Sequence, residues 1–358
     1  MVVYAINILV AVFLAIGAAD YILNNRFGLA SEFERGFGCA GKLFITMGGF
    51  IALAPIIARV LAPAVSPFFR SIGADPSLFA AVFSAFDAGG LPLALQLADD
   101  PAMAYFNASV TGSMLGVAIL CTIPLGIAYT KPEERAPMIY GLICGLITIP
   151  AGCLAGGLAG AYPMSGVLKN TLPVLVLSVI LSLLLLFAKD LIVKILTVFG
   201  KIILGIGVFG IAVSGIQSLL GITVLEDLSS LQEICYTIGN ICIFIAGAFP
   251  MLAALKRALR GPLTRAGRKL GISELSCGGF LTTLASSLPV LADLPAMDPK
   301  GRMLNVAFAT SACFVFGDHL AYAAVAAPQV SFSLIVSKLA AGIAGLLLAI
   351  LLAPKLLK

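Results

Sequence analysis

Long apolar runs separated by short polar loops dominate the pattern along this chain. Most of the runs reach the roughly 20 residues that a helix needs to cross the hydrocarbon core of a bilayer. The pattern therefore predicts an all-α polytopic membrane protein. Its eleven apolar segments lie near residues 3–23, 42–64, 77–98, 104–129, 137–162, 171–188, 195–221, 234–255, 273–292, 303–327 and 331–354.

Two of these segments, 77–98 and 273–292, are interrupted near their middles by small residues and a Leu-Pro step. Residues 87–92 read Asp-Ala-Gly-Gly-Leu-Pro, and residues 284–289, 197 positions later, read Leu-Ala-Ser-Ser-Leu-Pro. Gly and Pro free backbone groups from helical pairing, which is tolerated at membrane depth only where protein or water satisfies them. Matching breaks in two halves of a chain point to a transporter's binding site. We therefore predict two re-entrant hairpins.

The basic residues support this arrangement through the positive-inside rule. If both hairpins return to the side they left, all but five of the 22 Lys and Arg residues flank segments on one side. Only Arg70 and Lys169 flank segments on the other side. This bias predicts a bacterial inner-membrane protein with the N terminus outside and the C terminus in the cytoplasm. If only segment 273–292 is re-entrant, the split is fifteen against four and the N terminus is inside.

With two hairpins, the order of segments reads twice as two spans, a hairpin and two spans. Residues 1–162 form the first repeat, 163–190 contain a linking span, and 191–358 form the second repeat. Because the linking span turns the second half over, the repeat is inverted, as in many secondary transporters. The predicted fold has about nine full spans plus the two hairpins.

Composition excludes several other classes of protein. Hydrophobic residues make up 60% of the chain and charged residues 11%, against about 25% charged in soluble domains. The net charge of +5 fits loops that face anionic lipid, and we predict no nucleic-acid partner. The eight cysteines include no Cys-x-x-Cys pair and are typical of buried thiols. With one histidine and no nucleophile–base set, we predict neither an enzyme nor a cofactor or metal site.

Ionisable residues inside the apolar segments are the strongest candidates for function. Asp318 and His319 lie deep in segment 303–327, where a charge costs about 2.5–3.5 kcal/mol on insertion scales and usually faces a cavity. The alternative is structural: Asp318 caps a broken half-helix or pairs with Lys338, and His319 donates to a backbone carbonyl. Tyr322, one turn further along, is an aromatic candidate for contact with a cation.

The hairpin tips supply the second set of candidates. Asp87, followed by Gly89 and Gly90, opens the first tip, where a carboxylate meets a cation or caps a half-helix. In the second tip Ser286 and Ser287 offer hydroxyl groups instead. We predict that the two tips share one site.

A third break follows Thr148 in segment 137–162. Thr148 and the carbonyls freed by Pro150 are candidates for lining a path. The spacing of Gly152, Gly156 and Gly160 favours close packing of helices instead.

These landmarks resemble the ethanolamine-utilisation permease family, EutH. The similarity is carried by residues 87–90, 147–157, 284–289, 297–298 and 317–320, and it runs from near residue 1 to about 354. It implies a bacterial inner-membrane protein that admits ethanolamine. Two departures from the family pattern are Ala88, in place of Met, and Ser286-Ser287, in place of a paired Asn.

The residues and the resemblance together predict a permease for ethanolamine, taken up by alternating access as a protonated amino alcohol. An alkyl ammonium stays charged near pH 7, as the lysine reference pKa of about 10.4 indicates, and needs a counter-charge. Asp87 or Asp318 supplies the charge, and hydroxyl partners come from the serines, Thr148 or His319. A passive channel, an ion-coupled transporter of another small polar solute and a homo-oligomer remain open.

Overall fold

A computed structural model describes residues 2–357, apart from the side chains of Val2, Val3, Arg260, Leu263 and Ala266. Lys358 and the Arg260 side chain, both counted in the charge bias, therefore lie outside the described residues.

Every regular element among the described residues is helical. The first helices are α1 (Val2–Ile22), α2 (Ala30–Gly38), α3 (Ala40–Leu43), α4 (Gly49–Ser71), α5 (Leu78–Phe83), α6 (Leu91–Leu97), α7 (Pro101–Tyr105), α8 (Ile123–Tyr129) and α9 (Arg135–Ala159). They are followed by α10 (Met164–Phe187), α11 (Lys189–Leu220), α12 (Leu231–Leu270), α13 (Glu274–Ala285), α14 (Ser287–Asp293), α15 (Pro299–Ala312), α16 (Asp318–Ala326) and α17 (Ser331–Leu356). Four π-helical stretches connect some of them: Phe44–Gly48, Phe86–Gly90, Phe106–Gly116 and Ala118–Thr122.

Within residues 2–357, 8 helical stretches are long and apolar enough to cross a membrane. This confirms the all-α polytopic class. Adjoining helices merge in some of these stretches: Tyr4–Ile22, Ala30–Ser71, Pro101–Tyr129, Pro132–Ala159, Met164–Phe187, Lys189–Leu220, Leu231–Leu259 and Pro328–Leu356. The last apolar stretch of α12 is followed by a basic end, which brings that helix to 40 residues.

The span expected over 303–327 is broken in the structure, in agreement with the alternative that Asp318 lies at the start of a broken half-helix. The chain leaves the helix after Ala312 and starts α16 at Asp318. In between, Phe314 has a left-handed backbone (φ 60°), and the amides of Phe314 and Phe316 donate to carbonyls of α13 at 3.1 and 2.9 Å. Because a neighbouring element accepts these freed donors, the helix can break without leaving them unsatisfied.

The two ends of segment 77–98 lie next to each other. Hairpin 1 (residues 78–97) consists of α5, the π-helical turn and α6. Just outside it, Arg70 Nε donates to Asp99 Oδ2 at 2.7 Å. The Asp75 carboxylate accepts the amides of Asp99 and Asp100 at 3.1 and 3.0 Å. The Arg70 guanidinium holds the pKa of Asp99 below its usual value. Both ends of hairpin 1 are thus fastened together, which favours the two-hairpin arrangement.

Segment 273–292 is closed in the same way by Asp298. Hairpin 2 (residues 274–293) consists of α13 and α14. The Asp298 carboxylate, which precedes α15, accepts the Ser273 amide at 2.8 Å, the Ser276 hydroxyl at 2.8 Å and the Gly301 amide at 2.7 Å. Burial raises the pKa of Asp298, but these donors outweigh burial and hold it below the usual value.

The long helices pack reciprocally between the two halves of the chain. Helix α1 packs on α12, α11 packs on α4, and α9 packs on α17. Between α9 and α17, a side chain at Gly152 or Gly156 would meet Ser337. The glycine spacing in segment 137–162 therefore serves close packing.

Candidate functional site

A cavity of about 670 Å³ lies where both hairpin tips meet the start of α16. We call it the tip cavity. The residues that line it include Asp87 and Ala88 of hairpin 1, Ser286 and Leu288 of hairpin 2, and Phe314, Asp318 and His319 of the broken helix. Four predicted site residues from three separate segments thus share one cavity: Asp87, Ser286, Asp318 and His319.

The tip of hairpin 1 presents Asp87 to this cavity. Asp87 lies in the π-helical turn, which Gly89 closes with φ +91°; a Cβ on Gly89 would meet Phe50. The Asp87 Oδ1 atom lies 3.3 Å from Nε2 of His319, whose side chain is 1% exposed. The Asp87 side chain is 20% exposed. Asp87 therefore has a partner within the protein.

Asp318 is the first residue of α16, a helix of 9 residues. In the described part of the chain, no other side chain forms a hydrogen bond or ion pair with its carboxylate. The charges that act on it through space are those of Asp87 and Lys42. Lys42 is exposed. Asp318 thus places a carboxyl group at the tip cavity without a side-chain partner among the described residues.

The two serines of hairpin 2 have different surroundings. Ser286 is the N-cap of α14, with its Oγ accepting the Leu288 amide at 3.4 Å, and it faces the tip cavity. Ser287 is completely buried beside Cys121 and is not among the residues that line the cavity. Only one serine of the pair is available to a ligand there.

Three further predicted residues lie outside the tip cavity. The Thr148 hydroxyl is bound to the Cys144, Gly145 and Ala341 carbonyls in the α9–α17 interface, within 3.1 Å of each. Gly90 is buried where a Cβ would meet the Ala85 carbonyl, so Gly90 shapes the tip without facing a ligand. Tyr322 is 2% exposed and lines a different cavity. The prediction that Thr148 lines the path is not supported by this position.

The second cavity, of about 630 Å³, is called the Tyr322 cavity. It lies between α4, α6, α12 and α16, and its lining includes Gln96, Glu233, Tyr236 and Tyr322. Phe86 is completely buried. Its ring meets the Tyr322 ring edge-on at 5.0 Å and the His319 ring at 6.3 Å. Phe86 therefore packs between a residue that lines the tip cavity, His319, and a residue that lines the Tyr322 cavity.

Comparison with known proteins identifies the family. The model of the family described as "Ethanolamine utilisation protein, EutH" matches residues 2–352. The chain belongs to the EutH family. A Listeria monocytogenes protein named probable ethanolamine permease EutH is 37% identical over 98% of this chain and 94% of its own length. A Bacillus subtilis protein, uncharacterized protein YxeR, is 37% identical over 95% and 92%. The Salmonella typhimurium probable ethanolamine permease EutH is 33% identical over 96% and 93%. No solved structure matches the chain.

Sequence reasoning missed two features of this EutH chain. Phe86 looks like any apolar residue of segment 77–98, and nothing in the local pattern places it between two cavities. Lys338 was considered only as a partner for Asp318, but its Nζ donates to the Ser113 carbonyl instead. Its position within the apolar segment 331–354 was a signal, because buried charges in spans are rare.

Proposed function

We propose that this EutH protein is a membrane permease that carries ethanolamine as a monovalent cation through the tip cavity. The names of its relatives support this substrate, and they agree with the expectation of a transporter in place of an enzyme. The observation that carries the proposal is the Asp318 carboxylate, which has no side-chain partner among the described residues and lies in a cavity lined by two hairpin tips.

The groups around the tip cavity match the two ends of ethanolamine. The ammonium group binds Asp318, and Phe314, which lines the same cavity, supplies an aromatic ring near this charge. The alcohol binds the Ser286 hydroxyl. Asp87 and His319, already paired with each other, complete the polar wall. The preference for a carboxylate partner follows from the strength of charge-assisted hydrogen bonds, which contribute about 1.5–3 kcal/mol against about 1 for neutral ones.

Alternating access follows from the two cavities along α16. In the orientation predicted from the basic residues, the Tyr322 cavity opens outside and the tip cavity opens to the cytoplasm. Phe86 closes the path between the two cavities. The tip cavity is therefore open to the cytoplasmic side only. Movement of hairpin 1 away from α16 would remove this barrier. The inverted repeat is supported by the reciprocal packing of α1 on α12 and of α11 on α4.

The test is Asp318→Asn, with Asp190→Asn, an exposed residue of α11, as the matched control. Uptake of labelled ethanolamine into proteoliposomes should fall about 10- to 150-fold in Asp318→Asn, the effect of losing a charge-assisted bond. The control should match the wild type. Since no side chain in the described part of the chain binds Asp318, its variant should also elute as a folded protein. Wild-type uptake by Asp318→Asn would refute the role of this carboxylate.

Counterflow measurements separate a carrier from a passive channel. Unlabelled ethanolamine inside the vesicles should accelerate entry of labelled ethanolamine, because a carrier returns faster when loaded. A channel gives no such acceleration and no saturation.

A zwitterionic amine is a second candidate substrate, because three basic side chains line the tip cavity as well: Arg35, Lys42 and Lys201. A carboxylate on the substrate would find a partner there. Competition between labelled ethanolamine and either serine or ethylamine distinguishes the two. Stronger competition by serine would favour the zwitterion.

A further inference from the structure

The Tyr322 cavity contains a buried hydroxyl group that the protein itself does not use. Tyr322 is 2% exposed and lines this cavity, with the Phe86 ring packed against it. Among the described residues, no group forms a hydrogen bond with the Tyr322 hydroxyl. A buried tyrosine usually has a partner for its O–H, because an unsatisfied buried polar group costs about 1–3 kcal/mol. This hydroxyl is therefore available to a ligand in the cavity.

The charge at this cavity is negative. Glu233 is the one charged side chain among the described residues that line it, and no hydrogen bond or ion pair engages its carboxylate. Glu233 is exposed and lies in the first turn of α12. By contrast, the carboxylate of Asp227, in the loop before α12, is already paired with Arg59. A cation that enters the Tyr322 cavity thus meets one free carboxylate and no basic side chain.

Neutral polar groups from two helices accompany this carboxylate. Tyr236 and Thr237 line the cavity and lie three and four residues after Glu233, which places the three side chains on one face of α12. Gln96 comes from α6, the second arm of hairpin 1. A primary ammonium has three N–H donors, and it needs several acceptors of this kind. The walls from α4 and the rest of α6 are apolar and suit methylene groups.

Helix α16 places this cavity next to the tip cavity. Asp318, Tyr322 and Ala326 are spaced by four residues, so they share one face of the helix. Asp318 lines the tip cavity, whereas Tyr322 and Ala326 line the Tyr322 cavity. At about 1.5 Å per residue, the positions of Asp318 and Tyr322 are about 6 Å apart along the axis. The two cavities therefore follow each other along α16, and each contains a carboxylate without a side-chain partner among the described residues.

We propose that the Tyr322 cavity is a second binding site for a primary organic ammonium, with Glu233 as the partner of the ammonium group. The proposal rests on the proposed ethanolamine transport and adds a second site to its path. The Tyr322 hydroxyl binds the alcohol when the solute reaches the buried end of the cavity. Because Gln96 belongs to hairpin 1, a solute bound here contacts the element whose movement would open the path to the tip cavity.

A tryptophan placed in this cavity reports whether the site is occupied. The chain contains no tryptophan, and Tyr236 is 71% exposed where it lines the cavity, so Tyr236→Trp adds a single indole fluorophore. Titration of purified Tyr236→Trp with ethanolamine should give a saturable change in fluorescence. Adding Glu233→Gln should weaken the apparent affinity about tenfold, the loss of a charge-assisted bond. The matched control is Glu226→Gln, an exposed loop residue that does not line the cavity, and it should leave the affinity unchanged.

Two further variants, each combined with the reporter, make the test independent of Glu233. Tyr322→Phe removes only a hydroxyl that has no partner among the described residues, so the protein should remain folded. Its affinity for ethanolamine should fall about threefold, the effect of losing a neutral hydrogen bond, while ethylamine, which lacks the alcohol, should bind as before. Asp318→Asn should leave the reporter titration unchanged, because Asp318 lines the other cavity.

Three results would overturn the second site. An unchanged titration in Glu233→Gln would mean that this carboxylate does not bind the ammonium. Loss of the signal in Asp318→Asn would mean that the reporter responds to the tip cavity. An equal response to NaCl at constant ionic strength would mean that the cavity does not select an organic ammonium.

Uptake into proteoliposomes separates failure of the second site from failure of the proposed function. Uptake that depends on Asp318, without any reporter signal, supports transport and refutes the second site. A reporter signal that depends on Glu233, in a protein whose wild type takes up no ethanolamine, supports the second site and refutes transport.

Discussion

The two hairpins are attached to α16 in different ways. Hairpin 1 meets α16 through side chains only in the contacts described above: Asp87 with His319, and Phe86 with Tyr322. Hairpin 2 is joined to the start of the same helix through backbone hydrogen bonds from Phe314 and Phe316. Side-chain contacts part when a rotamer changes, whereas backbone bonds part only if the segment unfolds locally. Hairpin 1 is thus the element able to separate from α16.

Neutralising Asp87 should have the largest effect. Asp87→Asn removes the carboxylate whose Oδ1 lies 3.3 Å from Nε2 of His319, and loss of a hydrogen bond to a charged group costs about 1.5–3 kcal/mol. Thermal unfolding of the purified protein measures the loss. Adding His319→Gln should cost little more than Asp87→Asn alone, because both changes remove the same contact. If the two losses add in full, Asp87 and His319 do not stabilise each other.

A methyl group at Gly317 should weaken the backbone joint of hairpin 2. A Cβ there would overlap the Ala285 carbonyl, and backbone cannot move aside as a flexible side chain can. Forced overpacking costs about 1–3 kcal/mol, so the melting temperature of Gly317→Ala should fall clearly.

Gly215→Ala is the control for this substitution. Gly215 lies within the last two turns of α11, and its added Cβ would meet nothing within 4 Å. Alanine is also the better helix former, by about 1 kcal/mol, so this variant should be as stable as the wild type or more so. Equal stability of both variants would mean that the α16 joint adapts easily.

Removal of Asp298 at the base of hairpin 2 should cause a smaller loss of stability, and this loss should depend on pH. Asp298→Ala removes an N-cap and should cost about 0.5–2 kcal/mol. Since the folded state lowers the pKa of Asp298, its stabilisation is present above the ordinary carboxyl pKa and is lost as pH falls through the folded value. The stability difference between wild type and variant should therefore shrink in acid. A difference that is constant down to acid pH would contradict this account.

The smallest expected effect distinguishes the two serines of hairpin 2. Ser286→Ala should weaken ethanolamine binding by the value of a neutral hydrogen bond, about 0.5–1.5 kcal/mol, and leave ethylamine unaffected. Ser287→Ala should not discriminate between these amines, because Ser287 does not face the cavity. Competition assays with both amines measure the difference. A selective loss in Ser287→Ala would mean that the transported substrate reaches a deeper position.

The sequence predicts best those structural features that depend only on residues adjacent along the chain. Gly and Pro mark both hairpin tips, so the paired breaks could be predicted from residues 87–92 and 284–289. The break before Asp318 could be given only as an alternative, because it depends on backbone bonds to hairpin 2 and its own residues, Phe314 to Phe316, are strongly apolar. Local pattern also does not give the rotation of a helix about its axis. For that reason the sequence leaves Thr148 as a candidate either for lining a path or for helix packing, and the structure places its hydroxyl between α9 and α17.

Helix α12 has one more consequence. At about 1.5 Å per residue its 40 residues extend about 60 Å, twice the roughly 30 Å hydrocarbon core. Its final turns carry exposed Arg265, Arg268 and Lys269, which are cleavage sites for trypsin. Protease added outside sealed vesicles should cut at these three residues only in molecules whose α12 end faces outward. The fraction cleaved would report how the protein is oriented in each preparation, and uptake rates could be assigned to one direction of transport.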